Sequence, residues 1–294
     1  MKSRRLRLLT FSLAACVPAI GLVIAAVPGA SAATPSHPTS RHLSARAEAT
    51  IKARAFLRDL KVGQHGTDQR VPGHVRSIDG LTQVQSTNWS GYADDNTAGN
   101  TYSSITANWT EPSASCTSKQ TLAVFWVGID GFTSGSVEQD GTLIECLHRR
   151  AFYFTWWEMF PTNSIQTVGQ SVQPGDSISA SVVRSGSSYT LKVTDSTTPA
   201  NSFTTTQTCS TCANSSAEWI AEAPSNASGV LPLANFHSWT ATGATVTSGS
   251  TSGVISTFPD DELTMVDSAG NIKALPGALN SSGNGFTVTF ERST

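Results

Sequence analysis

Short stretches in which apolar and polar residues alternate recur from about residue 87 onward, and they constrain the fold most. In residues 177–193, Ile178, Ala180 and Val182 alternate with polar residues, a Ser-Gly-Ser-Ser run follows, and the alternation resumes at Tyr189. A period of two places the apolar side chains on one face of a β-strand. This stretch therefore predicts a β-hairpin.

Similar patterns predict further strands along the same part of the chain, which is otherwise rich in Ser, Thr, Gly and Asn. Helix signals are nearly absent there. Many strands joined by thin turns are typical of an antiparallel β-sandwich or barrel. The 208 residues from 87 to 294 suit one domain. The further predicted strands are 101–109, 122–129, 143–160, 217–223, 239–246, 262–266 and 286–290.

The first 32 residues have the pattern of a secretory signal peptide. A basic start is followed by apolar residues 8–27 and by a small-x-small motif that ends at Ala32. This pattern predicts cleavage after Ala32 and export from the cell. The apolar run is long, so a permanent membrane anchor is the alternative.

Residues 33–86 form a basic segment ahead of an acidic domain. They contain eight Lys and Arg against four Asp and Glu, a net charge of +4, whereas residues 87–294 contain 7 against 17, a net charge of −10. Opposite charges predict a pro-segment that binds the domain as an intramolecular inhibitor and is released as acid neutralises the carboxylates. An Ala- and Arg-rich run at 44–60 predicts helix, and a disordered linker is the alternative.

The acidity of residues 87–294 also limits the partners. Binding phosphates requires basic patches, so nucleic acid is excluded as a partner. No stretch after the signal peptide is apolar enough to span a bilayer. We expect an acid-tolerant extracellular monomer that does not bind membranes once the signal peptide is removed.

Four cysteines remain after residue 32: Cys116, Cys146, Cys209 and Cys212. An even number in an exported chain predicts disulfides, with three possible connectivities. We favour Cys116–Cys146 and Cys209–Cys212. The Cys-x-x-Cys spacing could instead belong to a redox or zinc site, but no second such motif or nearby histidine supports a metal. No cofactor is expected.

The usual catalytic nucleophiles and metal ligands are poorly represented. Residues 87–294 contain two histidines, His148 and His237, and neither a Gly-x-Ser-x-Gly nor a His-Glu-x-x-His motif. Serine-histidine and metal-dependent hydrolysis are therefore poorly supported. Carboxylates with aromatic neighbours remain as candidates.

Three stretches place carboxylates beside aromatic residues. In 152–160, Trp156, Glu158 and Phe160 share one strand face, together with Phe154. In 217–223, Glu218 and Glu222 share a face. In 124–139, Trp126 and Asp130 have the same parity, and Gln139 follows a Gly/Ser loop. Carboxylates among aromatic residues predict a cleft, and ordinary strands with one solvated face are the alternative.

Five motifs occur in an order that resembles the glutamic peptidase (eqolisin) family. They are T-N-W-S-G-Y at 87–92, W-V-G-I-D-G at 126–131, E-Q-D-G at 138–141, W-W-E-M-F-P at 156–161 and A-E-W-I-A-E at 217–222. The resemblance covers essentially residues 87–294. It implies a two-sheet, concanavalin-like or jelly-roll-type β-sandwich and an acid endopeptidase that cleaves polypeptides. The family's catalytic glutamine falls on Gln139, and its glutamate falls on Glu222 rather than on Glu218.

The resemblance also implies a set of substrate-binding residues. Phe160 stands where the fungal members have a cleft tyrosine, and Phe154 stands where they have an aspartate. The cysteine placement also differs from the fungal pattern, so no disulfide is carried over and a bacterial-type member is implied. The cleft positions are Trp89, Trp126, Asp130, Trp156, Glu158 and Phe160.

The chemistry of glutamate and glutamine agrees with the acid endopeptidase activity that the resemblance implies. A glutamate can take a proton from water and return it to the leaving amine, and its usual pKa of about 4.3 suits an acid enzyme. A glutamine amide donates hydrogen bonds without a charge that acid could alter. A glycoside hydrolase that uses Glu158 and Glu222 is the main alternative. A carbohydrate-binding module without catalysis is another.

Overall fold

The computed structural model describes residues 67–78, 81–95, 99, 101–168 and 172–294. Within these ranges the regular structure is strand, apart from two short 3₁₀ turns at Pro199–Asn201 and Ile255–Thr257. None of the helices in the described ranges is long and apolar enough to cross a bilayer. The signal peptide predicted at 1–32 and the helix predicted at 44–60 lie outside the described residues.

The strands are numbered in chain order. They are β1 (Arg70–Ile78), β2 (Leu81–Ser86), β3 (Trp89–Asp95), β4 (Tyr102–Thr110), β5 (Thr121–Ile129), β6 (Val137–Leu147), β7 (Arg150–Phe160), β8 (Asn163–Val168), β9 (Ser177–Ser185), β10 (Ser188–Asp195), β11 (Phe203–Thr208), β12 (Ser216–Glu222), β13 (Ser225–Asn226), β14 (Gly229–Val230), β15 (Ser238–Ser248), β16 (Thr251–Gly253), β17 (Asp260–Val266), β18 (Ile272–Pro276) and β19 (Phe286–Phe290).

The strands form the predicted two-layered β-sandwich. The first sheet has the order β8-β7-β6-β5-β12-β3-β17-β2-β1. The second has the order β11-β10-β9-β4-β15-β16. Strand β15 also pairs with β19, which leads through β18 back to β17, so the sheets are joined along one side. Among the named strands of the described ranges, β2 and β17 pair in parallel and the other pairings are antiparallel.

The predicted hairpin at 177–193 is confirmed as β9 and β10, with Gly186 in the left-handed region at the turn. The stretch 143–160, however, is not one strand. It contains the end of β6, a turn and β7. His148 and Arg149 adopt φ values of 50° and 65°. Positive φ at both central residues matches the tight turns that antiparallel hairpins use, and side-chain alternation alone does not reveal it.

Strand β5 is buried along its whole length. Its Phe125, Val127 and Ile129 face the second sheet and belong to the main core between the layers. Its Val124 and Trp126 face the other way and belong to a second apolar cluster. That second face also carries Gln139, Glu158 and Glu222, which the sequence motifs singled out.

Part of the predicted 33–86 segment belongs to the sandwich. Strand β2 pairs in parallel with β17 over residues 82–86, and β1 pairs with β2 as a hairpin. Residues 70–86 therefore extend the edge of the first sheet. The boundary predicted at residue 86 lies between two strands of that sheet.

Both favoured disulfides are present. Cys116 bonds to Cys146 on β6, and Cys209 bonds to Cys212 in the loop that precedes β12. The first joins the β4–β5 connection to the central part of the sheet. The second closes a short loop just before Asn214 and Ser215, whose backbone amides donate hydrogen bonds to Asp130.

Several carboxyl groups are buried in the interior with few or no hydrogen bonds. Asp140 is fully buried on the face of β6 towards the second sheet, and neither carboxylate oxygen has a hydrogen bond of normal geometry. Burial raises the pKa of Asp140 well above its ordinary value, although the backbone amides of Lys192 and Ser181 oppose this. Burial likewise raises the pKa of Glu111 to about 8, whereas the side chains of Thr142 and Trp109 lower it. Of these two, Nε1 of Trp109 donates a hydrogen bond to Oε2 of Glu111 over 3.2 Å. Such groups are stable inside the fold in their protonated form.

We predict that the free energy of unfolding falls as the pH rises from about 4 to 8. The folded state retains carboxyl protons that the unfolded chain releases near pH 4.3, so their stabilising contribution is complete in acid and is lost as pH rises. For Glu111 the loss between pH 4.5 and 7 should be on the order of 3 kcal/mol. Denaturant unfolding of the wild type and Glu111→Gln across this range measures it.

The Glu111→Gln variant should show a shallower decline, because its amide has no proton to lose. The exposed Glu291→Gln provides the matched control and should keep the wild-type slope. A free energy of unfolding that rises between pH 4 and 8 would contradict the assignment of neutral interior carboxyls.

Candidate active site

Gln139 and Glu158 form a cross-strand pair on the cleft face of the first sheet. Gln139 on β6 lies directly opposite Glu158 on β7. The Nε2 atom of Gln139 donates a hydrogen bond to Oε2 of Glu158 over 2.6 Å. Gln139 is 1% exposed and Glu158 is fully buried. The remaining oxygen of each group, Oε1, has no hydrogen-bond partner among the described residues.

Glu222 lies at the end of β12, opposite Val124 on β5 and Trp89 on β3. Its Oε2 accepts a hydrogen bond of 2.9 Å from Nε1 of Trp126, and its Oε1 has no partner among the described residues. The Trp126 ring packs edge-on against Trp89, with 4.9 Å between the centroids. Two indoles therefore fix the position of this carboxyl group.

The side chains of Gln139, Glu158 and Glu222 lie on the same face because strand parity places them there. Strand β5 separates β6 from β12, and Trp126 on β5 lies opposite Gly141 and Ile220. The amide of Gln139 contacts Glu158 rather than Glu222. The charge of Glu222 nevertheless raises the pKa of Glu158, so the two buried carboxyl groups influence each other on this face.

Burial dominates the electrostatics of both carboxyl groups. It raises the pKa of Glu158 to about 8; the hydrogen bond from Gln139 lowers this pKa and the charge of Glu222 raises it. Burial also raises the pKa of Glu222 to about 8. Trp126, Trp89 and Asn88 lower the Glu222 pKa, whereas the charge of Asp68 raises it. The indole of Trp89 acts without a hydrogen bond of normal geometry.

Gly128 provides the space that Gln139 and Trp126 occupy. It lies on β5 opposite Gln139 on one side and Glu218 on the other. A Cβ atom at this position would lie 2.9 Å from Cζ3 of Trp126 and 3.0 Å from Cβ of Gln139. Any larger residue must therefore displace one of the two side chains.

Asp130 does not share the cleft face of Trp126. Strand β5 ends at Ile129, and Asp130 has a φ of 71°, which interrupts the alternation that the sequence suggested. Its carboxylate accepts hydrogen bonds from the backbone amides of Asn214 and Ser215, both at 2.7 Å. Asp130 thus fastens the turn after β5 to the segment before β12.

The other predicted cleft residues lie on β7 and β12. Trp156 is buried opposite Gly141, and Phe160 is half-buried at the end of β7, opposite Val137. Glu218 shares the face of Glu222 as predicted, and burial raises its pKa well above the ordinary value. Aromatic residues therefore line the cleft on both sides of the Gln139–Glu158 pair.

Asn88 is a site residue that the sequence did not single out. It is buried beside Trp89, and its side chain lowers the pKa of Glu222. Its position inside the T-N-W-S-G-Y motif was the available signal. Asp68 was also missed, because only the folded chain shows that it approaches Glu222.

The fold and the matched family together define a peptidase. The model of the Peptidase A4 family matches residues 87–290, and the chain belongs to this family. Among curated proteins, aspergillopepsin-2 of Aspergillus niger is 26% identical over 273 residues, which cover 82% of this chain and 92% of that protein.

Two solved structures share the fold. The crystal structure of scytalido-glutamic peptidase with a transition state analog inhibitor matches with a TM-score of 0.59 and 23% identity, over 70% of this chain and 98% of that one. SCP-B, a member of the eqolisin family in a complex with the tripeptide Ala-Ile-His, matches with a TM-score of 0.56 and 22% identity, over the same shares.

We predict that Gly128→Ala lowers kcat/KM for a peptide substrate at least about tenfold, because small displacements of reacting groups are costly. The added methyl group must push Gln139 or Trp126 out of position. Gly135→Ala is the matched control, since a Cβ there meets no atom within 4 Å. Equal activity of the two variants would show that the packing around Gly128 does not matter to the site.

Proposed function

We propose that this chain is a secreted acid endopeptidase that hydrolyses peptide bonds with a dyad of Gln139 and Glu222. The observation that carries the proposal is the buried amide–carboxyl pair of Gln139 and Glu158 in one cleft with the indole-bound Glu222. These residues occupy the motifs through which the chain resembles glutamic peptidases, and the family match supports polypeptides as substrates.

Gln139 stabilises the oxyanion in this proposal. A primary amide has two N–H groups on Nε2. One of them donates to Glu158 and orients the amide plane. The second remains for the oxygen of the tetrahedral intermediate, where one such donor contributes roughly 3–4 kcal/mol. Because the amide has no charge, acid does not change this role.

Glu222 transfers the protons. Ionised Glu222 takes a proton from the attacking water, and protonated Glu222 returns it to the leaving amine. The hydrogen bond from Trp126 stabilises the ionised form, whereas burial stabilises the protonated form. Trp89 and Trp126 keep bulk water from the carboxyl group, which strengthens its interactions with the substrate.

The remaining predicted cleft residues support the dyad and the substrate. Glu158 orients Gln139, and Asp130 holds the turn that follows Trp126. Trp156 and Phe160 contact the substrate beside the dyad.

The N-terminal residues supply export and control. Residues 1–32 direct secretion, and residues 33–86 act as a pro-segment that inhibits the enzyme until maturation. The working enzyme is a monomer that needs no metal or cofactor.

We expect Gln139→Ala and Glu222→Gln each to lower the hydrolysis of an acid-denatured protein by at least about a hundredfold, since each removes a group needed in the transition state. The assay is digestion between pH 2 and 5 with pepstatin and a chelator present. A glycoside hydrolase that uses Glu158 and Glu222 would instead tolerate Gln139→Ala.

Glu218→Gln is the matched control for Glu222→Gln. Glu218 lies on the same face of the same strand, and burial already keeps it neutral, so the amide should be tolerated. Peptidase activity that is lost with Glu218→Gln and retained with Glu222→Gln would reassign the catalytic glutamate. No digestion by the processed wild type would refute the proposed function.

Trp126→Phe should lower kcat/KM roughly ten- to hundredfold, the usual value of a hydrogen bond to a charged group. Loss of the indole donor destabilises ionised Glu222 and raises its pKa, so the pH limb that reports its ionisation should move to higher pH. A pH profile of kcat/KM measures both effects. Trp239 is a core tryptophan whose Nε1 has no partner among the described residues, so Trp239→Phe should leave that limb in place.

A further inference from the structure

A pocket of about 400 Å³ lies at the end of the first sheet where β12 ends. Its volume is typical of clefts that bind small ligands or side chains. The lining combines apolar side chains with a buried cation, and it includes Thr87, Val230, Leu231, Val266, Asp267 and Lys273.

Lys273 is the buried cation of this pocket. The described ranges contain two further lysines, Lys119 and Lys192, and both are exposed, whereas Lys273 is 5% exposed. Lysine is rarely buried to this extent unless it has a partner of opposite charge.

A β-bulge accounts for the position of Lys273. The pairs on either side of it, between β17 and β18, are Met265–Ala274 and Val266–Ile272. Lys273 is therefore an extra residue between two consecutive pairs. An extra residue of this kind breaks the alternation of a strand and gives its side chain a new direction.

The ammonium group of Lys273 has no partner of opposite charge. Its Nζ donates one long hydrogen bond, of 3.5 Å, to the carbonyl oxygen of Thr87, and within the described ranges it makes no ion pair shorter than 4 Å. Asp267, the acidic side chain of the lining, accepts instead from the backbone amides of Ala269 and Asn271 and from Nδ2 of Asn271, all at 2.8 Å. An ammonium group has three donors, so two remain for a ligand.

Lys273 is charged under acid conditions. Burial lowers its pKa to about 8, and the charge of Asp267 opposes this shift. A charge that is removed from water without a partner is costly, so an anion that enters the pocket gains a strong interaction.

Backbone pairing connects the pocket with Glu222. Glu222 pairs with Trp89 on β3, and the amide of the residue after Glu222 donates to the carbonyl of Asn88 at 2.8 Å. Thr87, whose carbonyl contacts Lys273, is the next residue along. An extended peptide advances about 3.3 Å per residue, so the pocket lies roughly two to four residues from a bond that is cleaved beside Glu222.

The apolar wall of the pocket also reaches the cleft face. Leu231 packs against the apolar cluster that contains Trp89 and Trp126. Its backbone amide donates to the carbonyl of Pro224, two residues beyond Glu222, at 2.8 Å. A peptide that extends past Glu222 therefore meets an apolar wall first and the ammonium group behind it.

We propose that this pocket is a substrate subsite that binds the carboxylate of an acidic side chain a few residues from the cleaved bond. This inference rests on the proposed function and specifies which substrates the site prefers. An endopeptidase binds an internal stretch of a polypeptide, so the carboxylate comes from a side chain and not from a chain terminus. Its methylene groups pack on Val230 and Leu231, and its oxygens accept hydrogen bonds from Lys273.

Matched peptides test the subsite. Acetylated and amidated peptides carry a single glutamate at successive positions within about four residues of one cleavable bond, and a second series carries glutamine instead. At pH 5, where glutamate is mostly ionised, the processed wild type should cleave a glutamate peptide with a kcat/KM at least about tenfold higher than that of its glutamine partner at one or two positions. Equal kcat/KM values at every position would overturn the subsite.

Lys273→Met separates the effect of charge from that of shape. Loss of the ammonium group should reduce the glutamate-to-glutamine ratio of kcat/KM to about one. The exposed Lys192→Met is the matched control and should keep the wild-type ratio. A purely structural role of Lys273 would lower cleavage of both peptides alike and leave the ratio unchanged, which would contradict the proposal. Lys273→Gln repeats the measurement if Lys273→Met unfolds.

The same assay distinguishes failure of the subsite from failure of the proposed function. Hydrolysis without a preference for glutamate at any position overturns the subsite and leaves the peptidase intact. No hydrolysis of any peptide by the processed wild type overturns the proposed function, and the subsite with it.

Discussion

The burial of strand β5 on both faces is the constraint on which the rest of the structure depends. A strand in an antiparallel sheet commonly has one face in the core and one in water. Here Phe125 and Val127 pack against the second sheet, while Trp126 and Val124 pack into a second apolar cluster on the other side. Because the cleft face is apolar, Gln139 and Glu158 on the neighbouring strands have each other as partners instead of bulk water. The same face holds Glu222 against the indole of Trp126.

Burial of carboxyl groups links the stability of the fold to the chemistry of the site. Asp140 and Glu111 in the interior, and Glu158 and Glu222 in the cleft, all have raised pKa values for the same first cause, loss of hydration. Water is a better solvent for a carboxylate than any of these sites, so the protonated form is favoured. A folded state that retains these carboxyl protons is expected to be more stable in acid than at neutral pH. The amide of Gln139 has no proton to gain or lose in this range, so acid does not change its capacity to donate hydrogen bonds.

Much of the fold and of the site could be predicted from the sequence, since both depend on alternation and short motifs. Alternation revealed the hairpin of β9 and β10 and placed Glu218 and Glu222 on one face. It failed at Asp130, because a positive φ ends the strand there and turns the side chain towards the segment before β12. It also failed within 143–160, where two residues with positive φ form a turn. Alternation describes strands, and it carries no information on backbone conformations that interrupt them.

The contacts of residues 68–70 could not be predicted from the sequence, because they join segments that lie far apart in the chain. The charge difference between residues 33–86 and 87–294 suggested attraction by many basic residues, which remains a prediction. The contacts that the structure describes for residues 69 and 70 include a hydrogen bond of Gln69 with Asn88 and a cation–π contact of Arg70. Asp68 is far from Glu222 in the chain, yet in the folded protein its charge raises the pKa of Glu222, and no local sequence pattern reveals this effect.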